Sequence, residues 1–469
     1  MNSKYQYLSK NIGLFMLAVF LPKALDFIMM PLYTRYLSSA DYGTVDLLSN
    51  TVQLLLPFLT LQVQDAVLRY AMDKNYEPRN VLSVGIRITL CGGILLTVGV
   101  LFCGVFDLFQ IEVIYLVYVW VNYFTGALNN IFSYFCRGIN RVDTVTYGSG
   151  INASLIVISN LLFLCVLHWG LYGYLLASTI GALSCCLFQF FHAKLYRYIS
   201  FEKIPRDVFS GMIAMSIPMI FSALSWWANN ASDKYILTFF DGVAVVGIYA
   251  AAYKIPTVLS MLSNIISKAF SISAIKEFDK DDSDGFIGNT YSILSFLMTL
   301  CCSGIMIINV PVSRLLFSDE FFVAWRYVPI LLLSVLFNQL SLVCENIFLA
   351  VRQTKMISAT AVAGALINTV LNFVLIPFCS AYGAAVATAV GFGAVWALRY
   401  ITLHRYIALK DCPSREFPSY VLLFIQVVLA CFGMKFFVFQ IAIFVFLLYL
   451  YRSYLIKIWK MIRKTVLKK

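Results

Sequence analysis

Arg35-Tyr36-Leu37-Ser38-Ser39-Ala40-Asp41-Tyr42-Gly43 is a short polar hinge between two apolar stretches, and it occurs twice. Two hundred and four residues on, the pattern returns as Phe239-Phe240-Asp241-Gly242-Val243-Ala244-Val245-Val246-Gly247, so that Ala40 meets Ala244 and Gly43 meets Gly247. In each copy a long apolar helix leads in, small residues reverse the chain, and a glycine opens the next helix. A second echo supports the first. Gly170-Leu171-Tyr172-Gly173-Tyr174-Leu175-Leu176-Ala177 returns as Ala381-Tyr382-Gly383-Ala384-Ala385-Val386-Ala387, at a spacing of 210. Self-similarity at a nearly fixed period in a hydrophobic chain predicts two related helical bundles with a binding site between them.

Composition places those bundles in a membrane. Of the 469 residues, 61% are hydrophobic and 12% are charged, against about 25% charged in a soluble domain. Apolar runs near twenty residues are the length that crosses a hydrocarbon core of about 30 Å. A β-barrel would instead alternate in segments of about ten residues. The fold class is therefore all-α and polytopic. The twelve cysteines have no Cys-x-x-Cys spacing and sit mostly in apolar runs, as with Cys185-Cys186 and Cys301-Cys302; they read as small packing residues. His168, His192 and His404 are scattered and imply no metal site. The stretch from Ile12 onward has no small-x-small cleavage site and reads as a retained first span.

Fourteen spans fit the pattern: 10–32, 42–66, 81–105, 111–136, 147–167, 171–193, 209–231, 243–270, 286–310, 327–350, 356–378, 382–403, 418–434 and 436–455. An even number puts both termini on one side. With that side cytoplasmic, 25 of the 35 Lys and Arg fall inside, 5 outside and 5 within spans. The positive-inside bias thus accounts for most of the formal charge of +12 without nucleic acid. The organisation expected is an N-terminal six-helix bundle over 1–193, a basic cytoplasmic linker over 194–208, and a second six-helix bundle over 209–405. Two extra spans and a basic tail follow over 406–469. The tail reads either as lying on the anionic leaflet or as solvated.

Ionisable groups inside spans carry the functional signal, because each costs at least about 2.5 kcal/mol at mid-bilayer. Lys23 lies mid-span with Asp26 three residues on, either as a self-neutralised pair or as a cavity cation with its counter-ion. Lys254 has no carboxylate at helical spacing on its own span and is the leading candidate to meet an anionic ligand. Arg87 lines a cavity or snorkels to the inner interface. Lys268 and Arg399, at inner ends of spans, are expected to snorkel. Asp46 and Glu345 read as isolated carboxylates, and Asp233 with Lys234 closes span seven on its outer side. Asp26, Asp46, Asp233 and Glu345 are the candidate counter-ions or coupling groups for a proton or sodium ion, with a structural, hydrogen-bonded role the alternative. Trp226 and Trp227 belong to an interfacial belt or offer a face to a sugar ring. No phosphate-cradling glycine loop, His-Glu-x-x-His or Gly-x-Ser-x-Gly is present.

Several segments carry a family resemblance. Pro31-Leu32-Tyr33-Thr34-Arg35-Tyr36-Leu37-Ser38 with Asp41-Tyr42-Gly43 resembles the opening hairpin of bacterial polysaccharide biosynthesis exporters. Ser232-Asp233-Lys234-Tyr235, then Val246-Gly247-Ile248-Tyr249 and Tyr253-Lys254, is similar to the start of their second half. Asn372-Phe373-Val374-Leu375-Ile376-Pro377 and Tyr382-Gly383-Ala384-Ala385 resemble their eleventh and twelfth spans. The resemblance reaches about residue 405 and is to Wzx-type O-antigen or capsule repeat-unit flippases, in the multidrug/oligosaccharidyl-lipid/polysaccharide exporter superfamily. It implies two six-helix bundles around a V-shaped cavity and translocation of an undecaprenyl-pyrophosphate-linked oligosaccharide across the bacterial inner membrane. It also implies no bond chemistry, no cofactor, and work beside a polysaccharide polymerase and chain-length regulator. Lys23 and Lys254 suit the family's cationic cavity. The rivals are a cation-coupled multidrug exporter, which prefers carboxylates in its cavity, and a membrane glycan polymerase or ligase, which carries a larger external loop.

Overall fold

The computed structural model describes residues 20, 22–106, 111–200, 202–263, 282, 285–351, 353–409 and 413–456. Lys268, the N-terminal stretch before Phe20 and the basic tail from Lys457 lie outside the described residues. Every regular element among the described residues is helical. Among the described residues ten helices are long and apolar enough to cross a membrane, or eleven if one bent pair counts as a span. Contacts divide the chain into two compact units, Met1–Ala231 and Ser232–Lys469.

In the first unit, residues 22–28 are helical and a turn at Met29 leads into α1 (Met30–Tyr36). The hinge then does what its residues dictate. Ser38 accepts from the backbone N–H of Asp41, and the Asp41 carboxylate accepts from the backbone N–H of Ser38, a reciprocal cap that starts α2 (Ser39–Leu59). α2 ends two residues past Pro57, and α3 (Val63–Met72) sets off at 58° to it. Leu61 and Gln62 make the corner in the left-handed region, at φ 51° and 52°. Then follow α4 (Pro78–Val105), α5 (Val113–Gly138), α6 (Val142–Asn160), a π-helical extension Leu161–Val166, and α7 (Gly170–His192).

One face of α5 is hydrogen-bonded to α7. Tyr118 meets Ser178, Asn122 donates to Thr179, Asn129 to the Ala182 carbonyl, and Ser133 to Gln189. Paired in this way the polar groups are tolerable at membrane depth. Below them Val67, Leu82, Val84, Ile131, Phe132 and Phe135 form a buried apolar core.

α8 runs from Arg206 to Asp241 without interruption, and the division between the units falls within it. At 1.5 Å per residue its 36 residues span about 54 Å, well beyond the hydrocarbon thickness. Asp233, read as closing span seven, does not end the helix, which continues for eight residues past it. The second copy of the hinge follows. Where Ser38 caps α2, Gly242 at φ 85° caps α9 (Val243–Ala252), since glycine also serves at an N-cap and alone accepts that φ freely.

The second unit continues with α10 (Phe286–Leu316), α11 (Val328–Ala350), α12 (Thr354–Leu403), α13 (Pro413–Cys431) and α14 (Phe437–Leu450). α12 covers the two spans expected at 356–378 and 382–403; it is two helices meeting at a kink, where Ser380 has φ 52° and ψ −137°. α13 is docked on α10 by a buried polar seam. Ser292 donates to Glu416, Ser295 meets Tyr420 at 2.7 Å, and Ser303 donates to Gln426 at 2.6 Å.

Candidate functional site

Lys23 and Asp26 face one cavity. Being three residues apart on a helix, they share a side. The cavity, about 290 Å³, is walled by Pro22, Lys23, Leu25, Asp26, Met29 and Tyr33 from the first helical stretch, by Ala153, Ile156 and Val157 of α6, and by Tyr174 and Ser178 of α7. Its polar rim is held from behind. Asn160 donates to the Tyr33 hydroxyl at 3.3 Å, Tyr118 meets Ser178 at 3.3 Å, and the Tyr33 and Tyr174 rings stand edge to face at 4.9 Å. The Asn160 amide oxygen is buried without a hydrogen-bond partner.

The second unit builds a different polar centre. Asp233 is 1% exposed. Its carboxylate accepts from the Tyr249 hydroxyl at 2.8 Å, from Thr388 at 3.3 Å and from the Lys234 backbone N–H at 2.9 Å. The chain continues outward: Asn368 donates to Thr388 and Asn372 donates to Asn368, while the Asn372 amide oxygen is buried with no partner. Tyr253 lies 3.4 Å from the Tyr249 hydroxyl, and the Lys234 ammonium sits 5.8 Å from the centre of the Tyr253 ring. Sequence reading named Asp233 and missed its partners. Their signal was there: Tyr249 and Tyr253, like Asn368 and Asn372, are polar groups four apart within apolar spans. Thr388 also stands 210 residues after Ser178, which lines the first unit's cavity.

Lys254 is half-buried and follows a turn at Tyr253 that interrupts the helix. Pro256 explains the turn, because it can return no N–H to the Ala252 carbonyl four residues back. The remaining candidates are tied into the framework. Arg87 donates to the carbonyls of Ser200 at 3.1 Å and Glu202 at 2.6 Å, while Ser83, one turn earlier, accepts from the Ser200 N–H. Trp227 donates from its indole to the Asn50 carbonyl at 2.9 Å. Asp46 is not isolated: it accepts from the Asn50 side chain at 3.0 Å. Glu345 is not isolated either. It pairs with Arg399 at 2.8 Å, and Arg399 also donates to Thr360 and to the carbonyls of Ser341 and Ile357. Arg399 was expected to snorkel to the interface; it is 4% exposed, because these acceptors satisfy the guanidinium inside the unit. Among the described residues no three His, Cys, Asp or Glu side chains gather into a metal-binding group.

Residues 8–272, just over half of the chain, match the family described as polysaccharide biosynthesis protein. The chain belongs to that family. A curated relative is the probable low-salt glycan biosynthesis flippase Agl15 of Haloferax volcanii, 21% identical over 194 residues. That match spans 41% of this chain and 41% of the relative's length. Among solved structures, the lipid II flippase MurJ in an inward closed conformation superposes with a TM-score of 0.69 at 14% identity, over 94% of this chain and 99% of that one. An inward-facing multidrug resistance transporter of the MATE family, in the MOP superfamily, superposes with a TM-score of 0.67 at 14% identity, over 83% and 97%. This member of the polysaccharide biosynthesis family therefore has the fold of MOP-superfamily transporters and is a multi-pass membrane protein.

Proposed function

We propose that this protein flips an undecaprenyl-pyrophosphate-linked oligosaccharide repeat unit across the bacterial inner membrane by alternating access, for O-antigen or capsular polysaccharide assembly, with both termini cytoplasmic. The observation that carries the reading is a cavity with Lys23 on its wall, inside a helical membrane unit of a polysaccharide biosynthesis protein. The cargo has an oily tail, a polar glycan and a pyrophosphate. The tail stays in lipid while the headgroup needs a wet, cationic route, and Lys23 and Lys254 supply cations on either unit. The protein makes and breaks no bond, and a polymerase with its chain-length regulator takes up the product.

The driving ion acts, in this reading, at Asp233. The carboxylate, the Thr388 hydroxyl and the Asn368 and Asn372 amide oxygens are hard oxygen donors that suit a sodium ion, and the carboxylate alone suits a proton. The likeness to a multidrug transporter supports a second reading, export of cationic drugs. Lysines at positions 23 and 254 argue against it, because they repel such cargo.

The test is reconstitution into proteoliposomes with a fluorescent lipid-linked oligosaccharide. Transfer between leaflets is expected, and Lys254→Ala should slow it about tenfold or more, the usual cost of losing a hydrogen bond to a charged group. Wild-type rates in that variant would remove Lys254 from the mechanism. Movement of cationic dyes in place of glycolipid would replace the proposal with the second reading.

A further inference from the structure

Asp26 is out of place in a site meant for pyrophosphate alone. A carboxylate on the cavity wall repels an approaching phosphate and offsets the neighbouring ammonium of Lys23. The cavity is also small. At about 290 Å³ it stands at the bottom of the ~300–1,000 Å³ range of small-molecule sites, room for one ring within its walls. Its lining is mostly aliphatic, from Leu25, Met29, Ile156 and Val157, with polar groups converging from both sides. Those groups are an acceptor-only carboxylate, a donor-only ammonium, and the hydroxyls of Tyr33, Tyr174 and Ser178, which do both.

That combination matches a sugar ring. A pyranose presents hydroxyls that each donate and accept, and C–H faces that pack on aliphatic and aromatic side chains. We propose that this cavity is a monosaccharide subsite, which grips one sugar of the lipid-linked glycan through Asp26, Lys23 and Ser178 and so selects the cargo by its sugar. Two features pre-set it: Asn160 orients the Tyr33 hydroxyl and Tyr118 orients Ser178, so the receiving groups are held before the sugar arrives. The second unit makes the contrast. There the corresponding hydroxyl, Thr388, donates to the buried Asp233, whereas Ser178 donates to the Leu175 carbonyl of its own helix and meets the sugar as an acceptor. The proposal rests on the flippase reading and adds to it where discrimination occurs.

The test uses the full chain in lipid nanodiscs and native mass spectrometry. The probes are bare undecaprenyl pyrophosphate and the same carrier bearing one glucose, galactose, N-acetylglucosamine or N-acetylgalactosamine. At least one sugar-bearing carrier should bind about tenfold more tightly than the bare carrier, the usual worth of one charge-assisted hydrogen bond. Asp26→Asn and, independently, Ser178→Ala should bring the ratio of the two affinities towards one. Equal binding of all five carriers by the wild type would overturn the subsite while leaving the flippase reading standing, as would a ratio unchanged in both variants. Binding of no carrier at all would overturn both.

Discussion

Ser380 is a residue whose conformation its side chain does not favour. At φ 52° it lies where L-residues other than glycine are strained, and its counterpart 210 residues earlier, Gly170, adopts φ 53° with a residue suited to it. Such strain costs about 1–3 kcal/mol, and glycine returns about 0.5–1 kcal/mol of that as unfolded-chain entropy. Ser380→Gly should therefore stabilise the protein by about 1 kcal/mol and raise its thermal midpoint in detergent; a lowered midpoint would refute the strain argument. Arg399 is the opposite case, a residue fully answered by its surroundings. Removing it leaves Glu345 facing a buried gap. Arg399→Ala should cost about 3 kcal/mol, the lower end for a broken buried pair because Glu345 is partly exposed. Adding Glu345→Gln should recover part of the loss, and a double variant no better than the single one would show that the hydrogen bonds to Thr360 and Ser341 matter more than the charge.

At the scale of elements, both copies of the second echo use glycine to bring two helices of a hairpin together. A Cβ on Gly383 would lie 2.6 Å from the Leu375 carbonyl carbon and oxygen. A Cβ on Gly173 would lie 2.9 Å from the Phe163 Cβ and 3.1 Å from that of Trp169. Backbone cannot swing aside as a side chain can. Gly383→Ala should therefore cost about 2–3 kcal/mol and Gly173→Ala less, within the usual range for overpacking. Gly150, where nothing lies within 4 Å, is the control: its alanine variant should be neutral or stabilising. Unfolding midpoints in the order Gly150→Ala, Gly173→Ala, Gly383→Ala from high to low would bear this out, and any other order would sink it. The same hairpins show how much was readable beforehand. Both hinges and both echoes were visible as repeated small residues, because a close approach of backbones demands them in any context. The 58° corner at Leu61-Gln62 was not, because neither residue type signals a left-handed conformation; Pro57 one turn earlier was the sole local hint.

For the whole molecule, the repeat divides labour unequally. One unit places its acidic residue, Asp26, on the wall of a cavity, and the other buries Asp233 under Tyr249 and Thr388. With Asp26 meeting the cargo and Asp233 the driving ion, as proposed, the two carboxylates should respond to different perturbations. Asp233→Asn should abolish acceleration of glycolipid transfer by an imposed proton or sodium gradient, while downhill exchange between leaflets persists at equilibrium. Gradient-stimulated transfer in that variant would move the coupling site elsewhere. The residues by themselves determined that the chain is helical, membrane-embedded, internally repeated and carries charges within its apolar stretches, because hydropathy, spacing and charge are local and additive along a chain. Tertiary structure decided which of those charges is answered. Arg87, Asp46, Glu345 and Arg399 each find partners, and three of them find theirs on another segment more than fifty residues away. The physical reason is that a buried charge is stabilised by whatever donors and acceptors packing brings within about 3 Å, and distance along the sequence says nothing about that neighbourhood.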